Sequence, residues 1–159
     1  MTASTGIDPR GPRFGAAITG VLLLVVIGLG LSGVTLAATI LFGAITAVFA
    51  WGAFAGIQRH PYGLLFTKLV RPRLAAPTEL EDPAPPTFAQ GVGFAITLVG
   101  LVLSFVVGPL AIVVAASLAF IAAFLNSVFA YCLGCQIYLV LVRAGILARK
   151  GSRKGAAAV

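Results

Sequence analysis

The stretch FGAAITGVLLLVVIGLGLSGVTLAATILFGAITAVFAWGAFAGIQ, Phe14 to Gln58, contains no Asp, Glu, Lys or Arg. A second run without formal charge extends from Pro83 to Val142. The two runs are 45 and 60 residues long, whereas a helix crosses a bilayer core with about 20 apolar residues. Each run is therefore long enough for two passes and too long for one. Unpaired backbone groups cannot be left in hydrocarbon, so the passes must be helices. The sequence predicts an all-α integral membrane protein with four transmembrane helices, at about residues 14–32, 34–57, 88–107 and 109–131. Ser32-Gly33 and Gly108-Pro109 supply tight turns, because Gly and Pro punctuate helices.

Composition agrees. Hydrophobic residues make up 60% of the chain and charged residues 9%, against about 25% charged in a soluble domain, and the mean hydropathy is +1.09. The charges fall in three clusters, Asp8 to Arg13, Arg59 to Asp82, and Arg143 to Lys154. The net charge of +7 collects beside the spans, as expected for cytoplasmic flanks rather than for nucleic-acid binding. Both termini and the central loop are expected in the cytoplasm of a multi-pass plasma-membrane protein. Thr35-Leu36-Ala37 loosely resembles a signal-peptide cleavage site, but the apolar run before it is longer than a signal core. The first span is expected to be kept.

A repeat runs through the apolar text. Asp8-Pro9-Arg10-Gly11-Pro12-Arg13-Phe14 lies over Asp82-Pro83-Ala84-Pro85-Pro86-Thr87-Phe88, with Asp, both outer prolines and Phe coinciding. With a one-residue slip, Gly33 falls on Gly108 and Phe54-Ala55 on Phe129-Ala130. The chain reads as one membrane domain over residues 1–159, built of two parallel helical-hairpin repeats at about 8–73 and 82–148. A Pro-rich linker at about 74–86 and a basic tail at 149–159 complete it. Convergence on a good helix start is the competing explanation, since Asp caps a helix and Pro suits its first turn.

Between the halves, Leu64, Leu65, Phe66, Leu69 and Val70 alternate with Arg59, Lys68, Arg71 and Arg73. Such a basic interfacial segment would meet anionic lipid headgroups, as would Arg149 and Lys150 of the tail. Self-association in the membrane is left open.

Near the end of the second run lie the only two cysteines, in Tyr131-Cys132-Leu133-Gly134-Cys135-Gln136-Ile137-Tyr138. Residues three apart share a helix face, and two such cysteines approach the Cα separation that a disulfide needs. Helical steps would set Tyr131 and Tyr138 beside Cys135, and Gln136 four residues beyond Cys132. Counting about 20 residues from Pro109 places Cys132 at the cytoplasmic membrane boundary. An unbroken helix would leave the pair in mid-helix. A break between Asn126 and Tyr131 would aim a new helix N-terminus at the sulfurs and lower their pKa. If the halves correspond, the only histidine, His60, lies across from the pair. Cys-x-x-Cys is the thioredoxin-type spacing, here without the βαβ context that makes it specific. Small residues also let membrane helices approach closely, which makes packing the plain alternative.

Other chemistry is sparse. One His and two Cys cannot complete a tetrahedral zinc site within one chain. No carboxylate falls within a span, which argues against a buried proton relay. No metal or cofactor is expected.

The Asp8-to-Phe14 motif, His60-Pro61 through Arg71-Pro72, and Tyr131-Cys132-Leu133-Gly134-Cys135 together resemble the bacterial membrane family called domain of unknown function 4395, over nearly the whole chain. The resemblance implies a role in thiol redox or sulfur traffic, because members often accompany thioredoxin-like and sulfurtransferase-like proteins. It favours Cys132 and Cys135 as a pair that exchanges disulfides or carries sulfane sulfur with a cytoplasmic thioredoxin- or rhodanese-like partner, supported by Tyr131, Gln136, Tyr138, Asn126 and His60. One alternative is a non-catalytic scaffold or small transporter subunit with packing cysteines. Another is a quinone-coupled disulfide oxidoreductase. Enzymes of that type work on the outer face with more than one cysteine pair.

Overall fold

The computed structural model describes residues 6–147; the basic tail with Arg149 and Lys150 lies outside the described residues. Six α-helices follow in order: α1 (Arg10–Leu31), α2 (Thr35–Ala55), α3 (Pro61–Leu65), α4 (Ala84–Val107), α5 (Leu110–Phe129) and α6 (Leu133–Arg143). Helices α1, α2, α4 and α5 are long and apolar enough to cross a membrane. The fold class expected from the charge-free runs is the one observed.

The boundaries differ in an instructive way. Helices α1 and α4 each start four residues earlier than the apolar text suggests. Asp8 Oδ1 accepts the Arg10 N–H at 3.0 Å and Asp82 Oδ1 accepts the Ala84 N–H at 2.9 Å, so both starts carry the same cap. Pro12, Pro85 and Pro86 then sit in first turns, whose N–H groups have no intrahelical partner, and proline loses nothing there. Residues 84–86 therefore belong to α4 rather than to the linker. Asp8 is buried and also bound by the Arg10 guanidinium at 2.8 Å; that hydrogen bond holds its carboxyl below the usual range.

Gly33 (φ 78°) and Gly108 (φ 107°) make the two short turns, in a backbone region that glycine enters without a Cβ clash. Helices α2 and α5 each stop two residues before the expected end, at the positive-φ residues Gly56 (86°) and Ala130 (56°). The starts of α1 and α4 and the ends of α2 and α5 thus share one end of the bundle with the central loop and α6. The two uncharged turns form the other end.

The most extensive packing is α1 against α5 and α2 against α4. Leu23 and Val26 of α1, Phe42 and Ile45 of α2, and Ile112, Ala115, Ala116 and Ala119 of α5 form the core. Gly100 of α4 lets Ala115 close against its backbone. Such small residues allow membrane helices to approach where no hydrophobic drive separates helix from lipid. Large side chains such as Leu36, Ile40, Phe105 and Leu110 point outward, as lipid-facing positions should.

Each hairpin ends in a helix that folds back on its own first helix. The α3 region packs on α1 through Phe66, whose ring stands 5.8 Å from Phe14. Helix α6 packs on α4 through Tyr138, 5.6 Å from Phe88. The central segment continues as a π turn over Phe66–Val70 and a 3-10 turn over Arg71–Arg73, with Arg59, Lys68, Arg71 and Arg73 exposed. Ile7 and Glu81, the residues preceding the two Asp-Pro motifs, exchange paired backbone hydrogen bonds of 2.9 Å each.

Candidate functional site

The long helix question is answered by a break. Helix α5 ends at Phe129, Ala130 takes the left-handed conformation, and its N–H closes the last turn on the Leu125 carbonyl. Tyr131 lies outside any helix, Cys132 is extended, and α6 begins at Leu133. Cys132 is the N-cap of α6, and its Sγ accepts the Cys135 N–H at 3.2 Å. Cys132 and Cys135 are joined in a disulfide, with a Cα–Cα distance of 5.2 Å. Both sulfur-bearing residues are half-buried.

The pair is seated by Gly134. A Cβ there would stand 2.6 Å from both Cα and Cβ of Ala89, so the first turn of α6 rests directly on the α4 backbone. Only glycine allows that approach. The break also separates residues that an unbroken helix would have grouped. Tyr131 lies outside α6, is exposed, and donates its N–H to Leu125 at 3.1 Å. Tyr138 is buried against Phe88 instead of facing the sulfurs. Gln136, by contrast, stays with the pair: it is exposed, borders the same cavity as the two cysteines, and donates its backbone N–H to the Cys132 carbonyl at 3.0 Å.

His60 and Asn126 border the same cavity as the two cysteines, a space of about 1080 Å³ at the loop end of the bundle. His60 caps α3, its Nδ1 accepting the Tyr62 N–H at 3.3 Å. Gln90, one residue beyond Ala89, also lines this space and escaped the sequence reading. The only signal was its place as the sole amide in an otherwise apolar span. A Cβ on Gly52 of α2 would stand 2.7 Å from His60 Cδ2 and 2.9 Å from Gln90 Oε1. The bare Gly52 backbone thus brings both side chains to one spot.

Burial pushes the His60 imidazole below its ordinary value, partly offset by the Val48 carbonyl, which favours the protonated ring. That carbonyl does not reach hydrogen-bond geometry, and Nε2 stays without a partner among the described residues. A ring held neutral resists a proton that the unfolded chain accepts. Its stability contribution is whole above the ordinary value of 6.5 and is lost as pH falls below it toward the folded value. The thermal midpoint of the detergent-solubilised protein is expected to fall between about pH 7 and about pH 5.5, more steeply for the natural chain than for His60→Gln. Parallel curves for the two proteins would refute this.

Among the described residues no group of three His, Cys, Asp or Glu side chains could hold a metal ion. Four helices long and apolar enough to cross a membrane, with a disulfide-bonded cysteine pair at the start of α6, define an all-helical, membrane-type bundle that carries one disulfide at its loop end. The chain matches the family described as Domain of unknown function (DUF4395) over residues 7–143, and it belongs to that family. No curated protein and no solved structure matches it.

Proposed function

We propose that the protein is a membrane-embedded thiol–disulfide carrier. Cys132 is the attacking sulfur, Cys135 the resolving sulfur, and a thioredoxin- or sulfurtransferase-like protein the partner. The observation that carries this reading is the placement of Cys132 as N-cap of α6, with the Cys135 N–H directed at its sulfur. Anions are favoured at a helix N-terminus, and a thiolate there has a lowered pKa and is the reactive species. An unbroken helix would have offered neither.

The exchange follows from the geometry. The Cys132 thiolate attacks a partner disulfide, forms a mixed disulfide, and displaces the partner's other sulfur as thiolate. Cys135 then attacks Cys132 Sγ, closes the disulfide, and releases the partner as a dithiol after protonation. The reverse sequence oxidises a partner dithiol. With a partner persulfide, the Cys132 thiolate would instead attack the terminal sulfur, break the partner's S–S bond, form a Cys132 persulfide and release the partner's cysteine as thiolate.

The concentration of Lys and Arg at the loop end supports a cytoplasmic position for this couple in a plasma membrane. The exposed Arg59, Lys68, Arg71 and Arg73 suit anionic headgroups. Expressed in its host membrane, Cys135→Ser should accumulate a reductant-sensitive mixed disulfide with a soluble thiol protein, and the double serine variant should not. A Cys135→Ser protein that captures no thiol protein, while the double serine variant behaves as the natural chain, would leave the cysteines as packing in a scaffold.

A further inference from the structure

Helix α6 carries more apolar surface than its seat on the bundle uses. It has 11 residues, about 16 Å of helix, which is too short to span hydrocarbon. Apolar segments of that size belong in a protein core or at a membrane interface. Only Gly134 and Tyr138 of α6 are buried. Leu133, Ile137 and Val140 are 36%, 45% and 61% exposed. At about 100° per residue these three fall within an arc of about 60°. The buried pair points about 110° to one side of that arc, and Gln136 and Arg143 about 80° to the other. Leu139, 39% exposed, stands alone beyond the polar pair. The helix therefore has three sectors, one on the protein, one apolar and uncovered, and one polar.

Two observations say what covers the apolar sector. The first is continuity with a surface that faces lipid. Leu110, Val114, Leu118, Ile121, Phe124 and Val128 are exposed at steps of three and four along α5, a helix long and apolar enough to cross a membrane. Phe129 and Tyr131, 65% and 48% exposed, carry that stripe around the break to Leu133. Leu133 and Ile137 border the cavity beside the cysteines, whereas Val140 is not among its lining residues, so the stripe reaches past the cavity. The second observation is the polar sector itself. Arg143 is the only charged residue of α6 and stands in its last turn. Its long stem can run along apolar surface while the guanidinium reaches a phosphate. Tyr131, just before the helix, is of the type enriched where hydrocarbon meets headgroups.

We propose that α6 is an in-plane surface helix whose partner is membrane lipid. Leu133, Ile137 and Val140 lie against acyl chains, and Gln136 and Arg143 face headgroups and water. A helix projecting into the aqueous phase would leave the whole stripe hydrated, which the hydrophobic effect opposes. The inference does not depend on thiol chemistry. Joined to the carrier reading, it places exchange at the level of the lipid phosphates.

The test uses the Cys132→Ser/Cys135→Ser protein, in which serine still caps α6. Ile137→Cys, Val140→Cys, Gln136→Cys and Arg143→Cys are added one at a time, labelled with a nitroxide and reconstituted into mixed phosphatidylcholine and phosphatidylglycerol vesicles. Val114→Cys on α5 sets the value for hydrocarbon. Oxygen concentrates in acyl chains and a nickel chelate stays in water, so the ratio of their collision rates reads the surroundings. That ratio is expected to be severalfold higher at 137 and 140 than at 136 and 143, and to approach the value at 114. A ratio at 137 and 140 that favours the nickel chelate puts the stripe in water and overturns the proposal. Shielding of both positions from both reagents, or dipolar broadening at 140 that dilution with unlabelled protein relieves, overturns it in favour of a protein cover or a second copy. A chain that keeps both cysteines gives an independent reading. With Trp51→Phe and Val140→Trp, fluorescence should be quenched by phosphatidylcholine brominated on its acyl chains, and quenching by aqueous iodide instead counts against the lipid seat. Mixed-disulfide capture by Cys135→Ser is unaffected by either result, so this surface and the carrier reading fail separately.

Discussion

Cys132→Ser is expected to lower the rate of disulfide exchange by at least about 10³-fold, the scale of deleting a covalent nucleophile. Cys135→Ser should leave the first attack nearly intact and halt the cycle at the mixed disulfide. The asymmetry arises from α6. Cys132 Sγ receives the Cys135 backbone N–H, which survives replacement of the Cys135 side chain, whereas Cys135 lies one turn into the helix. Iodoacetamide alkylation followed against pH in each single-cysteine protein separates the two. The sulfur of Cys132 should react with a midpoint below the ordinary thiol value of about 8.5, and that of Cys135 with a higher one. The opposite order would reverse the assigned roles.

Gly134→Val should have the largest effect on stability. A Cβ at residue 134 would meet the Ala89 backbone at 2.6 Å, and a helix backbone cannot yield as a flexible side-chain end can. The first turn of α6 must lift from α4, at a cost of about 3 kcal/mol, the upper part of the range for overpacking. The thermal midpoint in detergent should drop, and the Cys132–Cys135 disulfide should become more quickly reducible, because its seat is lost. Gly28 has open space where its Cβ would stand, so Gly28→Ala serves as the control and should change neither quantity. Equal behaviour of the two variants would mean that α6 is not held in place at this contact.

The helices were readable because hydrocarbon excludes charge, and long runs without Asp, Glu, Lys or Arg leave few other architectures. Their starts were less readable. Proline usually signals the end of regular structure, yet Pro12, Pro85 and Pro86 occupy turns where a missing N–H is harmless. The break after Phe129 was one of two open readings, since Ala130 is not a residue whose type announces a left-handed backbone. The contact that goes with it is tertiary, the seating of Gly134 on Ala89, which no local pattern contains. The same holds for Gln90. Its importance lies in meeting His60 across Gly52, three residues from three separate segments. Cys132, Cys135, His60 and Asn126 could be singled out as rare polar or reactive residues. That they border one cavity while Tyr138 turns away depends on the break. The duplication we infer from the Asp-Pro motifs has support in matched features: the Asp8 and Asp82 caps, the Phe14–Phe66 and Phe88–Tyr138 ring pairs, and the positive-φ stops after α2 and α5.

Helix α1 packs more extensively on α5 than on its own hairpin partner α2, and α4 more extensively on α2 than on α5. The two hairpins are consequently dovetailed, and neither is a finished body by itself. During synthesis the first pair must wait in the bilayer with its inner face uncovered until the second pair arrives. The chamber that His60 and the cysteines border together is made only at that late closure, and a half-built chain lacks it.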